Sequence, residues 1–117
     1  METLQCNARH VHMVGIGGVG MSALAHALHD RGIRVSGSDI AESDRVVSLR
    51  QLGIDIAVGH SASNLGDADL VVHTTAVRAD NSELSEARAR GIPIWHRSQL
   101  LADFLRGKRG LAIAGTH

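Results

Sequence analysis

The sequence predicts an α/β fold: a doubly wound, mostly parallel five-stranded sheet of Rossmann-like type with helices on both faces. Two observations carry that expectation. Short apolar runs alternate with segments of helical period along the chain, and such alternation implies parallel pairing through right-handed crossovers. In addition, the first apolar run stops at Gly15, and Gly17, Gly18 and Gly20 follow before a helical pattern at Met21. That strand–glycine loop–helix order lets bare backbone approach an anion at a helix N-terminus.

In chain order, His10–Val14 reads as the first strand. Met21, Leu24, Ala25 and Leu28 share one helical face, and that helix ends near Gly32. Ile33–Ser38 is the second strand. Val46, Leu49 and Leu52 suggest a helix stopped by Gly53. Ile54–Val58 alternates as a short strand, and Leu70–Thr74 reads as a more buried one. Asp80 and Glu83 have capping-box spacing, with Asp in the place of the usual Ser or Thr, and open a helix through Leu84 and Ala87 to Gly91. Ile92–Trp95 follows as a strand whose Pro93 favours a strand start or a sheet edge. Leu100, Leu101, Phe104 and Leu105 mark a last helix, closed by Gly107. Leu111–Thr116 then reads as a further strand that opens onto Gly115, so the 117 residues are expected to be a fragment.

Composition narrows the function. Twelve basic and twelve acidic residues cancel to a net charge of +0, which leaves no electrostatic footprint for nucleic acid or an anionic membrane. Trp95 and Phe104 are the only aromatic residues, too few for a base-stacking platform. No apolar stretch approaches the roughly 20 residues of a membrane span, and the N-terminus lacks an apolar signal core. The expected location is the cytoplasm. Cys6 stands alone, which excludes an internal disulfide and a cysteine-based zinc site. His10 and His12 alternate on one strand face and His26 and His29 neighbour each other on one helix, yet carboxylate or thiolate partners at supporting spacing are missing, so no metal site is expected. Arg106, Lys108 and Arg109 read as a solvated basic cluster.

Gly15, Gly17 and Gly20 match G-x-G-x-x-G in the required context, and Asp39 ends the second strand about 20 positions further on. A carboxylate there accepts a ribose hydroxyl in dinucleotide folds. On spacing alone the loop fits NAD(P) of an oxidoreductase at least as well as any other nucleotide. His60 and Thr74–Val77 follow the third and fourth strands, on the sheet edge that carries the glycine loop.

Taken together, HMVGIGGVGMSALA (12–25), VSGSD (35–39), GH (59–60), TTAVRADNSEL (74–84), GIPIWHRSQLLADFLR (91–106) and AIAGTH (112–117) resemble the N-terminal domain of the Mur ligases of peptidoglycan synthesis. The resemblance spans almost the whole chain. Within the family it is strongest to the branch that joins L-alanine to UDP-N-acetylmuramate; a branch that attaches a ready-made peptide to the same UDP-sugar is the near alternative. It implies a UDP-sugar-binding domain over residues 1–108, with 109–117 the first strand of a central ATP-binding domain. By resemblance, Gly17, Gly18, Val19, Gly20, Met21 and Ser22 face the UDP diphosphate, and Ser38 and Asp39 meet the uridine. His60 lies beside the uracil pocket, Thr74, Thr75, Ala76 and Val77 line the diphosphate–sugar passage, and Arg97 falls on a family position.

The family's ATP loop reads G-T-H-G-K-[ST], and here only Gly115, Thr116 and His117 match it. The resemblance implies ATP and Mg²⁺ for the parent enzyme, with no cofactor, no catalytic residue and no activity in this piece alone. Its partners are then UDP-N-acetylmuramate and the remaining ligase domains.

Overall fold

The computed structural model describes residues 8–107, and Cys6, Lys108, Arg109, the strand expected over 111–116 and the ATP-loop residues Gly115, Thr116 and His117 lie outside them. Five strands, β1 (His10–Val14), β2 (Arg34–Asp39), β3 (Asp55–Val58), β4 (Leu70–His73) and β5 (Ile94–His96), alternate with four helices, α1 (Val19–Asp30), α2 (Asp44–Gln51), α3 (Ser82–Arg90) and α4 (Arg97–Gly107). The sheet runs β3-β2-β1-β4-β5 and every pairing is parallel. The chain first winds outward through β2 and β3, then returns to β4 on the other side of β1. That reversal opens a crevice beyond the carboxyl ends of β1 and β4, where open α/β sheets bind ligands.

Two apolar layers sandwich the sheet. Val11 and Met13 face one of them, with Met21, Leu24, Ala25 and Leu28 of α1, Leu49 of α2 and Leu100 and Phe104 of α4. Val14 and Val71 face the other, with Leu84 and Ala87 of α3 and Leu65. The helices therefore cover both faces. β1 is buried at all five positions, as a central parallel strand must be.

Several expected boundaries move for identifiable reasons. α1 begins at Val19 rather than at Met21, because Gly18 takes the extended N-cap conformation and places Gly20 inside the first turn. The cap of α3 is Asn81, whose Oδ1 accepts from the N–H groups of Glu83 and Leu84. Asp80 instead pairs with Arg78 at 3.0 Å, so the Asp80–Glu83 capping box does not form. β5 starts two residues later than expected: the Ile92 N–H closes the end of α3 on the Ala87 carbonyl, and Pro93 stands ahead of this edge strand. In α4 only Leu100 and Phe104 of the four apolar residues are buried, while Leu101 and Leu105 face solvent. A 3-10 turn at Ala62–Leu65, between β3 and β4, carries no periodicity that a sequence reading could find.

Candidate functional site

The crevice is a cleft of about 540 Å³ at the carboxyl edge of the sheet. Four strand-end loops wall it. Gly15, Gly17 and Gly18 follow β1, Asp39 ends β2 with Ile40 and Ala41 after it, His60 follows β3, and Thr74, Ala76 and Val77 follow β4. Ile40 stands 78% exposed beside Asp39, an apolar ledge at the rim.

The glycine loop is shaped by its own backbone. Gly15 turns at φ +82°, a left-handed conformation that favours glycine. The N–H groups of Gly15 and Ile16 both donate to the Ser38 carbonyl, and the Gly18 N–H returns to the Gly15 carbonyl. The Gly17 N–H donates to Asp39 Oδ2 at 2.8 Å, and the other carboxylate oxygen accepts from the Ile40 N–H at 2.8 Å. A Cβ on Gly17 would stand 2.8 Å from Asp39 Oδ2 and 3.1 Å from Val46, so a side chain there would have to displace the carboxylate. Asp39 thus braces the loop, and the Gly17 N–H points at that carboxylate rather than outward.

The loop's unsatisfied donors are on the next three residues. The N–H groups of Val19, Gly20 and Met21 begin α1, Gly18 supplies no side-chain cap, and none of the three has an acceptor among the described residues. The Met21 side chain is core, and Ser22 Oγ donates back to the Val19 carbonyl, so both offer the site backbone geometry only. Arg97, the first residue of α4, lies against this helix start: a Cβ on Gly20 would stand 3.0 Å from its Nη1. It has no ion-pair partner among the described residues. A guanidinium beside the positive end of a helix, with no carboxylate between them, is an arrangement that an anion completes.

The other expected residues divide. His60 and Asp39 line the cleft, as do Thr74, Ala76 and Val77. Thr75 turns away, its hydroxyl 3.0 Å from His96 Nε2. Ser38 cannot meet a ligand, because it is fully buried and its hydroxyl is engaged below the cleft floor. Ser43 and Arg45, outside every motif, and Arg78 and Asn81, inside the 74–84 motif but given no role there, also line the cleft.

The residue whose role sequence reading mistook is Glu83, expected only as half of a capping box. It is completely buried in the first turn of α3. Its Oε1 accepts from His12 Nε2 and Ser38 Oγ, both at 2.7 Å. Oε2 accepts from the Asn64 amide at 2.8 Å and the Ser61 N–H at 3.0 Å. Burial pushes the carboxyl group up, but the hydrogen bonds from His12, Asn64, Ser38 and Ser61 outweigh it and hold the pKa at about 2. The chain of polar contacts continues beneath the sheet. His12 Nδ1 lies 2.8 Å from Ser36 Oγ, which lies 2.7 Å from His10 Nε2, and His10 Nδ1 meets Asp67 at 2.7 Å. The carboxylates absent from the neighbourhood of His10 and His12 in sequence are therefore supplied by Asp67 and Glu83, across the fold. Glu83 had one signal in the sequence: it shares the inner face of α3 with Leu84 and Ala87.

A pH dependence follows. Glu83 titrates at about 2 in the fold against an ordinary 4.5. Its contribution is complete above pH 4.5 and is lost as pH falls toward 2, because the unfolded chain then binds the proton first. Urea unfolding between pH 5 and pH 2.5 should show a loss on the order of 3 kcal/mol from this group. A Glu83→Gln variant that lost stability over the same range as steeply as the parent would contradict that assignment.

Comparison with known proteins agrees with the geometry. The family model described as "Mur ligase family, catalytic domain" matches residues 10–109. A UDP-N-acetylmuramate–L-alanine ligase of Rhodospirillum rubrum is 49% identical over the whole chain, which corresponds to 24% of that protein. The crystal structure of the UDP-N-acetylmuramate-alanine ligase MurC of Thermotoga maritima superposes with a TM-score of 0.81 at 48% identity, over 83% of this chain and 23% of that one. The UDP-N-acetylmuramate:L-alanyl-gamma-D-glutamyl-meso-diaminopimelate ligase of Neisseria meningitides follows at 0.74 and 30%, over 81% of this chain and 30% of its own. The chain spans about a quarter of the length of the curated relatives it matches. With the match covering nearly all the described residues, and the cleft, the glycine loop and the sheet order in place, the chain belongs to the Mur ligase family.

Proposed function

We propose that this chain is the UDP-sugar-holding domain of a cytoplasmic, ATP-dependent ligase that joins L-alanine to UDP-N-acetylmuramate in cell-wall synthesis. One observation carries the reading: the glycine loop that lines the cleft runs directly into the uncapped start of α1, with Arg97 (without an ion-pair partner among the described residues) against it, and the same cleft carries the apolar Ile40, Asp39 and His60. A diphosphate suits the first, and a nucleoside suits the second. Asp39 keeps free lone pairs for a ribose hydroxyl while it braces Gly17.

In the parent enzyme, ATP would phosphorylate the lactyl carboxylate of the bound sugar, and the amine of L-alanine would then displace phosphate to form the amide, with Mg²⁺ screening the phosphates. The domain described here works by positioning: it holds the nucleotide end so that the carboxylate reaches chemistry elsewhere. Residues 1–108 form this domain, and 109–117 begin the ATP-binding one. No described helix is long and apolar enough to cross a membrane. The 30% identity to the Neisseria ligase keeps the peptide-attaching branch as a second reading, since its name gives it the same UDP-sugar.

Calorimetry on the chain is expected to show UDP and UDP-N-acetylmuramate binding at least tenfold more tightly than NAD; equal or tighter NAD binding overturns the proposal. Arg97→Ala should weaken UDP by roughly tenfold, about 1–2 kcal/mol for one charge-assisted contact. Uridine, which has no phosphate, should bind both forms alike. An unchanged UDP affinity would remove Arg97 from the site.

A further inference from the structure

His60 has one ring nitrogen committed and one open. Nδ1 lies 2.9 Å from Ser38 Oγ and 3.4 Å from Glu83 Oε2. Nε2 has no partner among the described residues, and His60 is one of the residues that line the cleft. The direction of the Nδ1 contact is decided one residue further in. Ser38 has a single hydroxyl hydrogen, and Glu83 Oε1 stands 2.7 Å from its oxygen in a fully buried setting. Two lone pairs at that distance, one on a carboxylate, repel without solvent to relieve them. The hydroxyl therefore donates to Glu83, which leaves the Ser38 oxygen as an acceptor. Both neighbours of Nδ1 are then acceptors, and Nδ1 must carry a hydrogen. In the neutral ring the open Nε2 is left with its lone pair.

We propose that Glu83, acting through Ser38, is a positioning residue that fixes His60 as the Nδ1–H tautomer, so that the cleft presents an acceptor nitrogen and selects ligands offering an N–H or O–H donor at that point. The selection rests on the UDP-sugar reading above; the tautomer does not. Asn64 supports the device by donating both to Glu83 Oε2 and to the Gly59 carbonyl at 3.1 Å, which pins the loop carrying His60. Glu83 itself never reaches the ligand, and its effect is on which half of a hydrogen bond the site supplies.

Histidine-resolved ¹⁵N NMR on the full chain at pH 7.5 tests this. His60 should show a protonated Nδ1 and an unprotonated Nε2, and saturation with UDP should shift the Nε2 resonance in the sense of an accepted hydrogen bond. Ser38→Ala, which removes the nearer acceptor, should raise the Nε2–H population severalfold; Glu83→Gln should do so too, provided that it folds. An Nε2–H tautomer in the unliganded wild type overturns the proposal outright. UDP binding with Nε2 unmoved removes the selection while leaving the UDP-sugar reading intact. Absence of UDP binding defeats that reading instead, and the unliganded tautomer still decides the device.

Discussion

Glu83→Ala is expected to cost about 3–5 kcal/mol of unfolding free energy, a large share of the roughly 5–15 kcal/mol that holds an ordinary domain folded. The figure follows from what is left behind rather than from the carboxylate alone. His12 and Ser38 are fully buried donors, and both lose their acceptor at once. The Ser61 N–H and the Asn64 amide lose theirs on the adjoining loop. Each abandoned buried polar group costs about 1–3 kcal/mol. Urea denaturation monitored by circular dichroism measures the loss, and a drop below about 1 kcal/mol would mean that water or a rearranged side chain replaces the carboxylate. Conservative replacement is no refuge: an amide brings its own N–H groups to a place already filled with donors.

Gly37→Ala is the second large effect, and its cause is space. Gly37 is the fourth residue of β2, paired to Met13 in the centre of the sheet. A Cβ there would stand 2.6 Å from Cδ1 and 2.8 Å from Cβ of Ile16, and 2.9 Å from the Met13 carbonyl oxygen. The far end of the isoleucine can swing aside, but its Cβ and the β1 backbone cannot. Overpacking of this kind costs typically about 1–3 kcal/mol. Because Ile16 sits within the glycine loop, the strain passes directly to the ligand site. Thermal unfolding should show the stability loss and calorimetry a parallel fall in UDP affinity. A variant as stable as the parent, with unaltered binding, would show that the loop has room that the geometry denies it.

The sheet was readable from the sequence because parallel strands and amphipathic helices leave periodic marks. β1, α1 and the glycine loop were visible because three signals coincide there: an apolar run, clustered glycines and a helical face. Asp39 and His60 were found by their place at strand ends, which the fold converts into cleft walls. The failures share a physical origin. Ser38 alternates correctly for β2, but the face it occupies is decided by α3, about 45 residues away, whose Glu83 claims its hydroxyl. Glu83 looked like a capping residue because acids favour first turns; only the packed structure shows that Asn81 caps and Glu83 points inward. A side chain whose partners are scattered over residues 12, 38, 61 and 64 carries no local pattern to read. The same holds for Arg97, whose meaning comes from its contact with Gly20 across the fold.

The brace between Asp39 and Gly17 has a consequence for how tightly a small domain can hold a nucleotide. Glycine-rich segments are the most expensive stretches of chain to immobilise, since each residue surrenders on the order of 1–2 kcal/mol of backbone entropy when it is fixed. Here the bonds from Gly15, Ile16, Gly17 and Gly18 have already closed within the protein. That entropy is lost on folding, once, so the binding of the nucleotide proposed above would carry no further ordering cost from the loop.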